Sequence, residues 1–382
     1  MSYPKVFFTS DVFTEKEIGS NEKISQEIRN KIANLWENIQ KLAEIKIFDG
    51  RFPDDDELEE IINDFNPDIA CCHLSHEISS EILTSSKIFA VLTSTAGYNH
   101  IHRTNVDDII ITNTPSVLFE TVADYTVALI LANLRNIIDL HNYVWNGEWT
   151  PEDIWDLDQN LSSVLSNKIL GIIGLGEIGS DVIRKLYSWG GLRIMYTSRT
   201  RHSEFEMKYP RLEYKEDIQE IFKKADIISL HVPLNESTEK LIDANLLKLM
   251  KKDALLINTA RGGIIDFEAL LDLLESEKIQ INFSFDVYPE EPLNLKLLKR
   301  IKRIKKEQPD LRFILMPHNA SADADTRGKM VIMLLEDLLK IIESKKTGDL
   351  KGVHLIPEHQ KQLETKDWRI LKYWKMKGTP ST

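Results

Sequence analysis

Three residues suited to holding a carboxylate and moving a proton stand beyond apolar, strand-like runs in the second half of this chain. Arg261 follows Leu255-Leu-Ile-Asn-Thr-Ala260, Glu291 lies five residues after Asp286, and His318 follows Ile314-Leu-Met-Pro317. Arginine offers a planar fork that matches a carboxylate. Histidine carries a proton near neutral pH, and a neighbouring glutamate orients the ring and favours its charged form. Each alone reads as an ordinary surface or hydrogen-bonded side chain. Together, at the ends of successive strand-like segments, they point to one site.

The elements that must position them form two alternations of strand and helix patterns. In the first, Lys5–Thr9, Glu44–Phe48, Asp68–Cys72 and Phe89–Thr93 read as short buried strands, with helical patterns at Ile24–Leu42 and Glu57–Asp64. A long helical pattern over Val122–Val144 leads to a second alternation from Ile169 to about His318, and a further helix is expected over Asp325–Glu343. Within the second alternation lies Gly174-Leu-Gly-Glu-Ile-Gly179, directly after a strand pattern and opening a helix. Gly174 allows the tight turn, Gly176 lets backbone approach a pyrophosphate, and Gly179 lets helix pack on strand. In that context the motif predicts dinucleotide binding at a helix N-terminus. Ligands of a doubly wound sheet bind beyond the carboxyl ends of its strands, so Arg261, Glu291 and His318 are expected in the same crevice. A domain's length of sequence precedes the motif, which predicts a nucleotide domain inserted into another.

The chain has 382 residues, enough for about two domains, with 42% hydrophobic and 28% charged residues and a net charge of −12. That acidity argues against general nucleic-acid binding. No apolar run approaches the ~18 residues of a membrane span. The only cysteines are the adjacent Cys71 and Cys72, and the start has no secretory pattern, so a reducing cytoplasm is expected.

Several longer stretches carry a resemblance. His231-Val-Pro-Leu234 with Thr238, Leu249 through Asp266, Asp286-Val-Tyr-Pro-Glu-Glu-Pro292 and Pro317-His318 stand in the order and spacing of the D-isomer-specific 2-hydroxyacid dehydrogenases. The chain resembles that family strongly from Thr93 to Ala322 and more loosely over the first ninety residues. The resemblance implies α/β architecture with two doubly wound parallel-sheet domains, a Rossmann nucleotide domain inserted into a flavodoxin-like substrate domain. The expected boundaries are 1–117 completed by 322–357 for the substrate domain, 118–321 for the nucleotide domain, and 358–382 for a C-terminal tail. It implies that Arg261, Glu291 and His318 are catalytic in reducing a small 2-oxo acid. His318 would protonate the developing alkoxide, Glu291 would hold the imidazolium, and Arg261 would clamp the substrate. Ala96 and Gly97 would hold the substrate carboxylate by their N–H groups, with Leu74, Ser75 and His76 near the substrate. Cofactor contacts are implied for Val122, Gly174, Gly176, Glu177, Ile178, Gly179, His231, Val232, Pro233, Thr238, Thr259, Ala260, Asp286 and Ala320. The family includes transcriptional corepressors that keep the whole trio, so a non-enzymatic NAD(H)-sensing scaffold is the alternative. Phosphoglycerate and 2-ketogluconate chemistry remain rival activities.

After the second strand of the nucleotide domain stand Ser198, Arg199, Thr200 and Arg201, where an acidic residue would bind a ribose 2′-OH. Hydroxyls and guanidinium groups welcome a 2′-phosphate, so NADP(H) is expected to be preferred, with NAD(H) possible. This resembles the NADP-using glyoxylate/hydroxypyruvate reductase branch. Two departures from the family pattern are the bulky Ile281-Asn-Phe-Ser-Phe285 before Asp286 and Asn319-Ala-Ser321 after His318, expected to alter the pocket near the nicotinamide. Cys71-Cys-His-Leu-Ser-His-Glu77 superficially resembles a metal cluster, but adjacent strand residues face opposite ways, so no metal is expected. Leu293–Lys306 reads as a basic amphipathic surface helix with seven Lys/Arg facing outward. Trp145, Trp149 and Trp155 exceed the aromatic surface an isolated loop should expose, which predicts a homodimer; the resemblance puts Trp155 near the neighbour's active site.

Overall fold

The computed structural model describes residues 3–376, apart from the side chains of 346, 347 and 376. Its contacts divide the chain into two compact units, Met1–Leu118 with Ala322–Thr382, and Phe119–Ser321. The chain thus leaves the first unit once and returns to it.

The first unit alternates β1 (Lys5–Phe8), α1 (Gln26–Leu42), β2 (Glu44–Ile47), α2 (Asp55–Phe65), β3 (Ile69–Cys72), α3 (Ser80–Ser85), β4 (Ala90–Thr93) and β5 (Ile110–Thr112). Its five parallel strands run in the order β2-β1-β3-β4-β5. Side chains alternate across the pleat: Phe8 and Cys71 enter the core on one face, Phe7 and Cys72 that on the other. The two cysteines are therefore buried on opposite faces, as the pleat requires.

In the second unit α4 (Phe119–Leu134) and α5 (Ile137–Trp145) precede the sheet. One continuous helix was expected here. The break falls at Asn136, which adopts φ 52°, a left-handed conformation that Asn tolerates better than most residues. The alternation continues through β6 (Ile169–Ile173), α6 (Glu177–Leu186), β7 (Arg193–Thr197), α7 (Ser203–Lys208), β8 (Leu212–Tyr214), α8 (Ile218–Lys224), β9 (Ile227–Leu230), α9 (Ala244–Leu247) and β10 (Leu255–Asn258). It closes with α10 (Phe267–Glu275), β11 (Asn282–Phe285), α11 (Leu295–Glu307) and β12 (Phe313–Leu315). The seven parallel strands lie in the order β12-β11-β10-β9-β6-β7-β8. Strand order reverses between β6 and β9, the switch point where doubly wound sheets bind ligands.

Two sequence expectations are corrected here. Arg300 of α11 is not outward-facing: it bridges Glu268, Asp272 and Glu275 of α10, and Arg303 joins it on Glu275. The bulky Phe283 and Phe285 do not reach the site. They stack on each other at 4.6 Å, and Phe283 stacks on Phe313 at 4.2 Å, fully buried in the core.

The chain returns to the first unit as α12 (Ala324–Thr347), α13 (Pro357–Gln362) and α14 (Arg369–Met376). The tail expected over 358–382 packs here, with Trp368, Tyr373 and Trp374 in the core that includes Phe8 and Trp36; residues 377–382 lie outside the described residues. Among the described residues no helix is long and apolar enough to cross a membrane.

Candidate active site

Each glycine of the turn after β6 has a distinct reason to be glycine. Gly174 has φ +98°, and a Cβ there would fall 2.6 Å from the His231 carbonyl oxygen and 2.9 Å from Val232. A Cβ on Gly179 would lie 2.3 Å from the Gly174 oxygen, so α6 could not seat against the turn. At Gly176 a Cβ would meet nothing within 4 Å: this backbone lies open. Gly176, at the N-cap of α6, has no side chain with which to cap the helix, and the first helical residue, Glu177, is exposed. An open glycine at a helix N-terminus suits a diphosphate, and the turn therefore fits a dinucleotide.

After β7, Ser198 Oγ donates to the Thr200 oxygen (2.6 Å), which closes the loop. The two arginines divide. Arg201 is held by Glu206 (Nη2–Oε2 2.7 Å), whereas Arg199 is exposed and makes no ion pair among the described residues. Only Arg199 is uncommitted.

His231 and Val232 sit against Gly174. His231 Nε2 lies 2.9 Å from Ser229 Oγ, and burial pushes its pKa down to about 3, so it is a neutral group rather than a proton donor. Pro233 and Thr238 belong to one small loop, in which Thr238 Oγ1 donates to the Pro233 oxygen (2.6 Å). Val122 is buried on α4, where its oxygen accepts from Thr126, and Thr126 hydrogen-bonds Thr259 (2.9 Å).

Arg261 emerges from a tied turn. Asn258, fully buried at the end of β10, donates from Nδ2 to the Arg261 oxygen (2.9 Å) and accepts from the Ala260 N–H (3.0 Å). Arg261 Nη1 donates to the Ala260 oxygen (2.7 Å). The next residue must be glycine, since a Cβ on Gly262 would sit 1.8 Å from the Tyr288 carbonyl carbon. The turn is thus pressed against the loop that carries Glu291. Burial lowers the Arg261 guanidinium below its usual value, opposed by the charge of Glu291.

His318 Nδ1 is 2.6 Å from Glu291 Oε2, and Glu291 Oε1 accepts from the Tyr288 N–H (3.0 Å). With Nδ1 donating to Glu291, Nε2 is the nitrogen left to serve a ligand. Burial alone would raise the Glu291 carboxyl, but the His318 bond, the Tyr288 N–H and the Arg261 charge bring it below its usual value. His318 itself adopts φ 54°, which a non-glycine residue holds only when its surroundings over-determine it. Asp286 does so. Its carbonyl accepts from His318 N–H (2.8 Å), and its carboxylate oxygens accept from Asn319 N–H (2.7 Å) and Ala320 N–H (2.8 Å). Burial pushes the Asp286 carboxyl up while those N–H groups pull it down.

The remaining expected site residues lie in the first unit. Leu74 and the exposed Ser75 form a turn after β3. His76 is committed elsewhere: Nδ1 is 2.6 Å from Thr9 Oγ1 and Nε2 2.6 Å from the Arg51 oxygen, so it is a buried structural histidine. After β4, the Ala96 oxygen accepts from Asn113 Nδ2 (2.7 Å) and the Gly97 oxygen from Thr95 Oγ1 (2.6 Å). With both carbonyls turned into bonds, the Ala96 and Gly97 N–H groups have no partner among the described residues. Asn258, Gly262 and Asn113 escaped sequence reasoning. Asn258 immediately precedes Thr259-Ala-Arg261, and its place at a strand end was the available cue.

Residues 127–320 match the family model described as D-isomer specific 2-hydroxyacid dehydrogenase, NAD binding domain. A glyoxylate reductase of Aeropyrum pernix is 38% identical over 256 residues, 66% of this chain and 72% of that protein. One of Thermococcus litoralis is 33% identical over 306 residues, 79% and 88% respectively. The crystal structure of a glyoxylate reductase from Paecilomyes thermophila matches the fold with TM-score 0.74 at 23% identity, covering 94% of this chain and all of that one. The chain belongs to the D-isomer specific 2-hydroxyacid dehydrogenase family, and is an oxidoreductase that uses a nicotinamide cofactor.

Proposed function

We propose that this enzyme reduces glyoxylate, hydroxypyruvate or a similarly small 2-oxo acid to the D-2-hydroxy acid. The observation that carries the reading is the 2.6 Å His318–Glu291 pair beside the Arg261 turn, in the unit that bears the glycine turn. The bound nicotinamide supplies the hydride. His318, charged and oriented by Glu291, gives its Nε2 proton to the substrate oxygen as that oxygen gains negative charge. Arg261 offers a fork to the substrate carboxylate and stabilises charge as it develops. In the first unit, the Ala96 and Gly97 N–H groups are open to a carboxylate. NADPH and NADH oxidation against a panel of 2-oxo acids tests this, with fastest turnover expected for glyoxylate or hydroxypyruvate. No turnover of any member would overturn the reading in favour of a ligand-sensing scaffold.

NADPH is the preferred cofactor in this proposal, because Arg199 is the uncommitted cation after β7. Arg199→Asp is expected to raise the KM for NADPH at least tenfold, roughly the loss of a charge-assisted contact, while NADH changes little. Equal losses for both cofactors would remove Arg199 from that role.

The enzyme is further proposed to act as a homodimer. Ten of the fifteen large apolar side chains exposed among the described residues lie between 137 and 164, including Trp145 and Trp155 at 79%. Exposed apolar side chains concentrated in one stretch of chain favour an interaction surface. Sedimentation at micromolar concentration is expected to give about twice 44.1 kDa. A particle of single mass would refute it.

A further inference from the structure

We infer that the returning C-terminal segment, through Glu358 and His354, positions the loop that presents the Ala96 and Gly97 N–H groups. The inference rests on the proposed role of that loop in holding the substrate carboxylate.

Two independent ties reach the loop. Tyr98 Oη, one residue past Gly97, donates to the Glu358 carboxylate at 3.0 and 2.9 Å. Glu358 lies in the first turn of α13, whose N-terminus Pro357 fixes. The second tie begins at Asp337, a fully buried carboxylate of α12. It holds His354 at both the ring Nδ1 (2.9 Å) and the backbone N–H (3.2 Å). The His354 oxygen accepts from the Asn113 N–H (3.2 Å), and Asn113 Nδ2 donates to the Ala96 oxygen (2.7 Å). A bond to the Ala96 carbonyl and one to the Tyr98 ring bracket the two N–H groups.

The segment is itself anchored, as a positioning device requires. The buried His359 accepts the Ile111 N–H on Nδ1 (3.1 Å) and packs on Trp368 with ring centres 4.8 Å apart. Burial pushes its pKa down to about 4, so it remains a neutral acceptor. Arg369 forks onto Asp108 at 2.7 and 3.0 Å and donates to the oxygens of Leu83, Ser86 and Ile88. Glu358 is therefore held on a fixed platform, and its bond to Tyr98 restrains the loop rather than the tail. The other ties are buried or partly buried. The Tyr98–Glu358 bond is exposed, so removing it isolates positioning from stability.

The test compares Tyr98→Phe, Glu358→Ala and Glu358→Gln in the full chain, with Gly97→Val as a probe of the loop itself. Glyoxylate KM and kcat, cofactor KM, and amide hydrogen exchange at Ala96 and Gly97 are measured. Tyr98→Phe and Glu358→Ala are expected to raise glyoxylate KM about fivefold, the scale of one net hydrogen bond. Cofactor KM should stay unchanged, and loop exchange should rise roughly tenfold. Glu358→Gln retains an acceptor oxygen and should restore most of both. Unchanged exchange in Tyr98→Phe and Glu358→Ala would overturn the positioning role. Raised exchange with glyoxylate KM unmoved even in Gly97→Val would instead overturn the loop's assignment to the carboxylate, and the inference with it.

Discussion

Replacing His318 with Asn should lower kcat/KM for the 2-oxo acid by about 10²–10⁴, the range for losing a positioned general acid. Cofactor KM should change less than about twofold, because His318 stands after β12 and the glycine turn after β6. Asn keeps the tolerance for φ 54° that this position demands, so the loss would report the proton rather than a collapsed turn. Glu291→Gln gives the companion result. The carboxylate orients the ring through Nδ1, so its removal should lower kcat/KM, by less than His318→Asn because the Gln amide oxygen can still accept there. Glu291 is held below its usual value, so it remains ionised as pH falls into the mildly acidic range, and activity tied to it should persist there. A His318→Asn enzyme with near-native kcat/KM would exclude proton transfer by this residue.

Much of this architecture is legible in the chain because its signals are local. Buried parallel strands read as short apolar runs, and the glycines mark the turn: Gly174 and Gly179 because a Cβ would strike backbone, Gly176 because it leaves the backbone open. What the sequence hid depends on distant partners. β8, only Leu212–Tyr214, is an edge strand too short to show a period. Arg300 reads as an outward cation until α10 supplies three carboxylates. Phe283 and Phe285 read as intruders near a pocket, yet the strand's pleat turns both into the core, where Phe283 also stacks on Phe313. The same holds inside the site. Reactive side chains announce themselves by type, whereas Asn258 and Gly262 act only by fixing where Arg261 stands. Gly262 is required by the Tyr288 backbone, 26 residues further along the chain, and no pattern around Gly262 encodes that approach.

Arg261→Lys should cost about 10²–10³ in kcat/KM, the loss typical of removing one preorganised donor to developing charge. The substitution keeps the positive charge and removes the planar fork, so it separates the two contributions. Several observations predict that charge alone is insufficient. The turn before Arg261 is fixed by the Asn258 amide at both ends, and one guanidinium nitrogen is already committed to the Ala260 oxygen. That bond sets the plane of the fork, so the remaining N–H groups point in a defined direction. A lysine ammonium has no plane to set, and its flexible stem would sample positions nearer Glu291, whose charge already acts on residue 261. It would then pair with Glu291 in place of His318 and weaken both the substrate clamp and the orientation of the acid. The loss should therefore fall on substrate KM and kcat together, with cofactor KM unchanged. Adding guanidinium to Arg261→Ala should recover part of the rate, and adding methylammonium should recover less. Equal recovery by both cations would show that the site uses Arg261 only as a point charge.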